Sequence, residues 1–248
     1  MHRLMTGTES LDSERPELGK DAMRHLKVLR VQQGERIELF DGCGAWRRYA
    51  YADGRLVAVS EKRFSPRSGP RLTLFACVTK GSRWDWTVEK ATEIGVSRIV
   101  PVISDRTIVR LDGSERESKR ERWMRIAADA ARQSDAKWLP EVLPAMDFAE
   151  SLELVAKCRC FAGAIADPRP RPLAAEIAAA KVGSPAGGEW GVYVGPEGDF
   201  TPDELAALCK VAVPTDFGPA ILRAETAALF ALSVLKGMLE ADAPGAAS

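Results

Sequence analysis

"GVYVGPEGDFTPDELAAL", residues 191–208, decides the fold. Val192-Tyr193-Val194 is a short β-branched and aromatic run of the kind that fills a buried strand. A helix start follows within a few residues. Thr201 fits an N-cap, Pro202 the first helical position and Glu204 the third, which completes a reciprocal T-x-x-E capping box. Phe200 and Leu205 occupy the staple positions on either side of it. Residues 195–199 are therefore a tight strand-to-helix loop, and in open parallel sheets ligands bind beyond the carboxyl ends of strands. The loop lacks the Gly-Lys-Ser/Thr of a P-loop and the dinucleotide G-x-G-x-x-G, and Glu197 would repel phosphate. It reads either as a well-made turn or as a cradle for a cationic or hydroxyl-bearing ligand.

Outward from this loop the chain has two rhythms. Residues 35–63 are short apolar stretches broken by Asp41-Gly42 and Asp53-Gly54, each a hairpin signal. They imply at least three strands of a small barrel or meander. The preceding "AMRHLKVLRV" fits a short helix or a strand equally. "FSPRSGP", 64–70, reads as a linker. Beyond it, "RLTLFACVTK" reads as a strand, "RWDWTVEKATEI" as a helix stopped by Gly95, and "SRIVPVI" as another strand. Residues 115–133 carry one narrow apolar stripe at helical spacing. Further strands are expected at 157–164, 190–194 and 211–216, with an alanine-rich helix among the segments between them and a small polar tail at the end. Alternating strands and helices imply a mostly parallel sheet covered on both faces.

A second stretch, "FGPAILRAETAALFALSVLKGML" at 217–239, repeats the theme of a Gly-Pro turn before a helix. Residues 227–232 are apolar on every side, which calls for cover all round and suggests packing on a second subunit as well as on the sheet. Arg223 stands at the loop–helix junction, beside the first loop if the two strands are neighbours.

Composition narrows the function by exclusion. Lys plus Arg and Asp plus Glu both number 35, so polyanion binding would need a local patch rather than net charge. Residues 47–71 supply such a patch: Arg47, Arg48, Arg55, Lys62, Arg63, Arg67 and Arg71 stand against Asp53 and Glu61, although a solvated strand face reads the same way. No run has signal-peptide or membrane-spanning character. Five scattered cysteines argue against a disulfide framework, and two histidines near the N-terminus against a metal site. A reduced, cytoplasmic protein is expected.

"GPEGDFTPDE" with "AILRAETA" resembles the paired C-terminal motifs of the ribosomal RNA small subunit methyltransferase E family, within the SPOUT superfamily. "HLKVLRVQQGERIELFDGCG", "KGSRWDWTVEKATEIGVSRIVPVISDRT" and "AADAARQS" resemble its upstream blocks in order, so the likeness covers nearly the whole chain. Three positions depart from the family. Ala220 stands where an arginine is usual, Asp135-Ala136 where Gly-Arg is usual, and Met1-His2-Arg3-Leu4 replaces Arg-Phe-Phe, blurring the first strand.

The resemblance implies a PUA-like RNA-binding β-barrel over 1–68 and, over 69–248, a SPOUT α/β domain with a parallel sheet and a deep trefoil knot. It implies methyl transfer from S-adenosylmethionine to N3 of a uridine in 16S ribosomal RNA of the small subunit, by a homodimer joined through its C-terminal domain, with no metal and no membrane. Gly195, Glu197, Gly198, Ile221, Leu222 and Thr226 are then expected at the cofactor. Arg223 is the candidate for stabilising an anionic uracil, unless it pairs with Glu225 or caps the helix. Glu197 is either the base or a partner for backbone amides. Arg47, Arg48, Lys80, Arg83 and Gln133 are the expected RNA contacts. An RNA-binding assembly factor that keeps the fold without the chemistry is the competing reading.

Overall fold

A computed structural model describes residues 1–164, 169–182 and 188–241, apart from the side chains of residues 20 and 21. The expected polar tail lies outside the described residues. The chain forms two compact units: Met1–Ser68 with Ala128–Leu139, and Gly69–Ala127 with Pro140–Ser248.

In the first unit β1 (His2–Met5), β2 (Arg36–Phe40), β3 (Ala45–Ala52) and β4 (Arg55–Ala58) lie side by side in that order, with β5 (Arg63–Phe64) paired to β3. β1 runs parallel to β2 and the remaining pairs are antiparallel. The departure at residues 1–4 has thus not cost the first strand. The β3–β4 hairpin turns on Asp53 (φ 50°) and Gly54 (φ 77°), the two left-handed positions of a tight two-residue loop. "AMRHLKVLRV" resolves as a helix, α1 (Lys20–Val28). Leu4, Leu11, Leu26, Ile37, Leu39, Tyr49 and Leu56 are buried together at the centre of the unit.

Residues 128–139, expected in the C-terminal domain, pack instead with this sheet. The reason is polar. Buried Arg3 donates to the carbonyls of Ala131 (3.0 Å), Arg132 (3.1 Å) and Ala136 (3.2 Å), and to Oε1 of Glu38 (3.0 Å). Asp135 ends the helix at φ 61°, and its carboxylate faces Arg3 and Lys137. Those contacts offset the cost of a left-handed non-glycine residue.

The second unit is a seven-stranded, wholly parallel sheet. Its strands are β6 (Arg71–Cys77), β7 (Arg98–Ile103), β8 (Glu141–Val142), β9 (Met146–Asp147), β10 (Arg159–Gly163), β11 (Glu189–Val194) and β12 (Val213–Thr215). They run in the order β12-β10-β11-β6-β7-β8, with β9 continuing beside β7. Helices α2 (Ser82–Ile94), α3 (Gly113–Gln133), α4 (Phe148–Val155), α5 (Leu173–Lys181), α6 (Pro202–Leu208) and α7 (Ala224–Glu240) alternate with the strands. Two-residue alternation splits the core across the sheet. Leu74, Ala76, Val192 and Val194 meet α2, α5 and α7 on one face, while Phe75, Cys77 and Tyr193 meet α4 and α6 on the other.

Gly95 caps α2 in the left-handed region (φ 94°) as the sequence suggests. α7 buries Ala227, Ala228, Ala231, Leu232 and Leu235 within the chain but leaves Phe230 41% exposed. Its apolar circumference is therefore covered on one side only.

Candidate active site

The capping box at the end of β11 forms as the sequence dictates. Glu204 N donates to Thr201 Oγ1 (3.2 Å) and Thr201 N to Glu204 Oε2 (2.9 Å). Glu204 is buried and its other oxygen accepts from Asp105 N (2.9 Å), so the helix start is tied to the loop after β7. Arg106 on that loop donates to the carbonyls of Gly198 (3.0 Å) and Phe200 (3.2 Å). The loop after β11 is therefore held from two sides before any ligand is considered.

That loop forms one wall of a cavity of about 570 Å³ beyond the carboxyl ends of β10, β11 and β12. Gly195, Pro196 and Glu197 line it from the first loop, and residues 216–224 from the second, among them Ile221, Leu222 and Arg223. Ile221 is 89% exposed, an apolar side chain with almost no cover from its own chain. The lining thus combines apolar walls with the carboxylates of Glu197, Asp199 and Asp216 and with backbone left open at Gly218. That donor set fits a ligand with a flat apolar part and a cationic end.

Arg169 and Asp216, also in the lining, were not singled out from sequence. Their ion pair (2.8 Å) clamps the segment after β12, and hydrogen bonding from Arg169 lowers the Asp216 carboxyl below its ordinary value. No motif announces the pair, because it joins two loops distant in sequence.

Two expected cofactor residues lie elsewhere. Gly198 is not in the cavity lining: a Cβ built there would sit 3.4 Å from Arg106 Cβ, an ordinary contact. Its close neighbour is the side chain that braces the loop. Thr226 points away from this cavity and into a second one, also about 570 Å³, lined by Ser82, Arg83, Asp85, Trp86, Glu89, Arg223, Glu225 and Thr226.

Arg223 lines both cavities. It is the N-cap residue of α7 (φ −66°, ψ 152°) and makes no side-chain cap bond. Its guanidinium has no hydrogen bond or ion pair among the described residues, so neither the Glu225 salt bridge nor a capping role is realised. Glu197, by contrast, is paired with Arg83 at 3.2 Å. Lys80 is exposed just ahead of α2.

In the first unit the expected RNA residues separate. Arg47 is only 5% exposed. It donates to the carbonyls of Ser60 (2.8 Å) and Leu11 (3.3 Å) and pairs with Glu14, so burial within the sheet takes it out of reach of a phosphate. Alternation along β3 explains this, because Arg47 and Arg48 face opposite sides. Arg48 is on the open side, and its guanidinium lies 5.2 Å from the Trp46 ring centroid. Arg63 (5.4 Å) and Lys137 (4.9 Å) approach the same ring. Gln133 is exposed at the end of α3. Charge counting from sequence found the patch but missed Trp46 at its centre.

Among the described residues no cluster of His, Cys, Asp or Glu is arranged to hold a metal, and no helix is long and apolar enough to cross a membrane. The cysteines are all unpaired, and burial pushes the Cys77 thiol up to about 12.

Residues 67–236 match the model of an RNA methyltransferase domain. The chain is 30% identical to the ribosomal RNA small subunit methyltransferase E of a Synechocystis species over 96% of its length and 78% of that protein's. It is 31% identical to the protein of the same name from Mycobacterium bovis, over 88% of its own length and 84% of the relative's. A crystal structure of the Neisseria gonorrhoeae ribosomal RNA small subunit methyltransferase E bound to S-adenosyl methionine superposes with a TM-score of 0.80 at 29% identity, covering 96% of this chain and 98% of that one. With the cavity lying at the sheet end where an α/β fold places its ligand, these likenesses agree: the chain belongs to the ribosomal RNA small subunit methyltransferase E family of RNA methyltransferases.

Proposed function

We propose that this protein transfers a methyl group from S-adenosylmethionine to N3 of a uridine in small-subunit (16S) ribosomal RNA, in the cytoplasm. The observation that carries the reading is the position of Arg223, shared by two adjoining cavities and without an ion-pair partner among the described residues. S-adenosylmethionine, when bound, supplies a methyl group already activated on a sulfonium. The first cavity suits it: apolar Ile221, Leu222 and Val194 for the adenosine, Gly195 in its wall and Gly218 open for close approach, and Glu197 for the positive charge. The protein's remaining task is to orient the acceptor nitrogen and to stabilise the negative charge that uracil gains on losing its N3 proton. A preorganised guanidinium beside the reacting base meets the second need, because it acts on charge present only as the reaction proceeds.

In this reading the second unit is a SPOUT domain whose C-terminal loops form a trefoil knot, and the first is a PUA-like barrel. Arg48 and Arg63 beside Trp46 give the first unit a basic surface with an aromatic centre, which suits phosphates and an unstacked base, while Lys137 near the same ring is held by Glu38 and Asp135. Lys80, Arg83 and Gln133 add further contacts. The enzyme works as a homodimer through the exposed side of α7, where Phe230 lies.

Methyl transfer from labelled S-adenosylmethionine to small-subunit particles lacking the modification, followed by mass spectrometry of RNA fragments, tests the reading. Methyl at N3 of a single uridine supports it. Methyl on a ribose, on cytidine or on large-subunit RNA alone overturns it. Tight RNA binding without transfer would favour the assembly-factor alternative.

A further inference from the structure

Phe64 carries the most exposed aromatic ring among the described residues, at 62%. A lone apolar side chain at a surface needs no account, but this one stands in a built setting. Phe64 ends β5, which lies along β3, and the next residue, Ser65, donates its N–H to the carbonyl of Gly44 (2.8 Å). Both nearby indoles spend their N–H on Ser65: Trp46 Nε1 donates to its Oγ (3.0 Å) and Trp138 Nε1 to its carbonyl (2.9 Å). Gly44 N in turn donates to the carbonyl of Lys137 (3.0 Å). Gly44 makes this convergence possible. Its φ is 99°, and a Cβ there would fall 2.7 Å from the Trp138 ring, 2.8 Å from the Ser65 carbonyl oxygen and 2.9 Å from the Phe64 ring.

The indole N–H groups are thus consumed inside the cluster, and what it offers outward is ring surface. Phe64 meets Trp138 edge-on, with centroids 5.9 Å apart and planes at 84°. Among the described residues no ring lies parallel to Phe64, so a flat partner can still be laid on it. Charge says which kind. Arg63 and Arg67 flank the ring in sequence, and their guanidinium carbons lie 5.4 Å from the Trp46 centroid and 5.2 Å from the Trp138 centroid. A flat ring between two guanidinium groups complements a nucleotide, whose base stacks and whose phosphates are anionic. An apolar side chain of a protein partner would gain nothing from the arginines.

We propose that Phe64 is a stacking platform for one unpaired base of the RNA, other than the methyl acceptor, with Trp138 supporting the ring and Arg63 and Arg67 meeting the phosphates on either side. The basic surface around Trp46 attracts any RNA backbone. Phe64 adds a requirement for single-stranded RNA, because in a duplex both faces of each base are already stacked on its neighbours. Stacking tolerates sequence, since every base has a π face, so Phe64 selects strandedness rather than a particular base.

This inference rests on the reading that the first unit binds RNA, and the test separates the two. The full chain is titrated with a short single strand of adenosines, with the same strand paired to its complement, and with inorganic polyphosphate of matched charge. The unaltered protein is expected to bind the single strand several-fold more tightly than the duplex. Phe64→Leu keeps an apolar side chain and removes the ring; it should weaken the single strand by about tenfold and leave duplex and polyphosphate within about twofold. Phe64→Trp, which keeps a ring, should bind the single strand as the unaltered protein does. The slope of affinity against salt should hold in both variants, since neither removes a charge. A Phe64→Leu protein that binds the single strand at full affinity overturns the platform and leaves the ring to a protein partner. Equal losses for single strand and polyphosphate also overturn it, because the change then lies in charge or fold. An unaltered protein that binds neither RNA nor polyphosphate fails the RNA reading and the platform together. One that binds the single strand through Phe64 but transfers no methyl leaves the platform standing and fails only the methyltransferase reading.

Discussion

Arg83 Nη2 lies 3.2 Å from Glu197 Oε1, joining the first turn of α2 to the loop after β11. Both side chains are partly exposed, at 40% and 27%, so the pair adds little to stability, at most about 1 kcal/mol. Its importance is positional, because Glu197 lines the first cavity. If that carboxylate complements a sulfonium, Glu197→Gln should weaken S-adenosylmethionine binding by about tenfold, about 1.4 kcal/mol. The neutral product S-adenosylhomocysteine should lose far less. Calorimetry with both ligands checks this, and equal losses would remove the electrostatic role.

Gly163 and Gly198 should respond oppositely. A Cβ at Gly163 would fall 2.5 Å from the Phe217 ring, which stands at the edge of the cavity, whereas one at Gly198 meets only ordinary contact. Gly163→Ala is expected to displace Phe217 and reduce cofactor affinity at least several-fold. Gly198→Ala should bind almost normally. This reverses the expectation, drawn from the motif alone, that Gly198 faces the ligand.

Glu204 should matter more to stability than the residue it caps with. Thr201→Ala removes one cap acceptor, a loss of about 1 kcal/mol. Glu204→Ala leaves both Thr201 N and Asp105 N without their acceptor, at a buried position, and should cost about 2–3 kcal/mol. Urea unfolding of the two variants gives the order directly.

The helix start at Thr201 was legible because every determinant lies within five residues of sequence. The parallel sheet was legible through period alone. What sequence could not show are relationships across the fold: Arg47 pointing inward to Glu14, Arg169 clamping Asp216, and residues 128–139 leaving the domain they adjoin in sequence. The two adjacent arginines of β3 look equivalent in a charge count, and only the pleat assigns one to the interior. The α7 pattern told of cover on all sides without saying which residues lack it in a single chain.

That gap moves the dimer test. Leu232 and Leu235 are fully buried within the chain, so a charge there would report on folding. Phe230→Glu alters an exposed position and should give a folded monomer if α7 is the interface. Light scattering at micromolar concentration reads the outcome, and an unchanged mass would place the interface elsewhere.

The sharpest expectation concerns how binding and rate divide between the units. Among the described residues Arg223 has no ion pair to lose, so Arg223→Ala should leave the thermal midpoint nearly unchanged. If its charge acts on the uracil anion, the single-turnover rate should fall by roughly a hundredfold or more, with S-adenosylmethionine affinity altered only slightly. Arg48→Ala with Arg63→Ala should do the reverse, weakening RNA binding and flattening its salt dependence while the rate on saturating RNA persists. Arg47→Ala belongs to neither class: it strips a buried guanidinium from two carbonyls and Glu14 and should show first as a loss of stability, about 3 kcal/mol or more. Single-turnover transfer, RNA titration at several salt concentrations and urea unfolding on the same variants separate the three. A full-rate Arg223→Ala enzyme would take that residue out of the chemistry, and a salt slope unmoved by the Arg48 and Arg63 changes would take the Trp46 surface out of RNA binding.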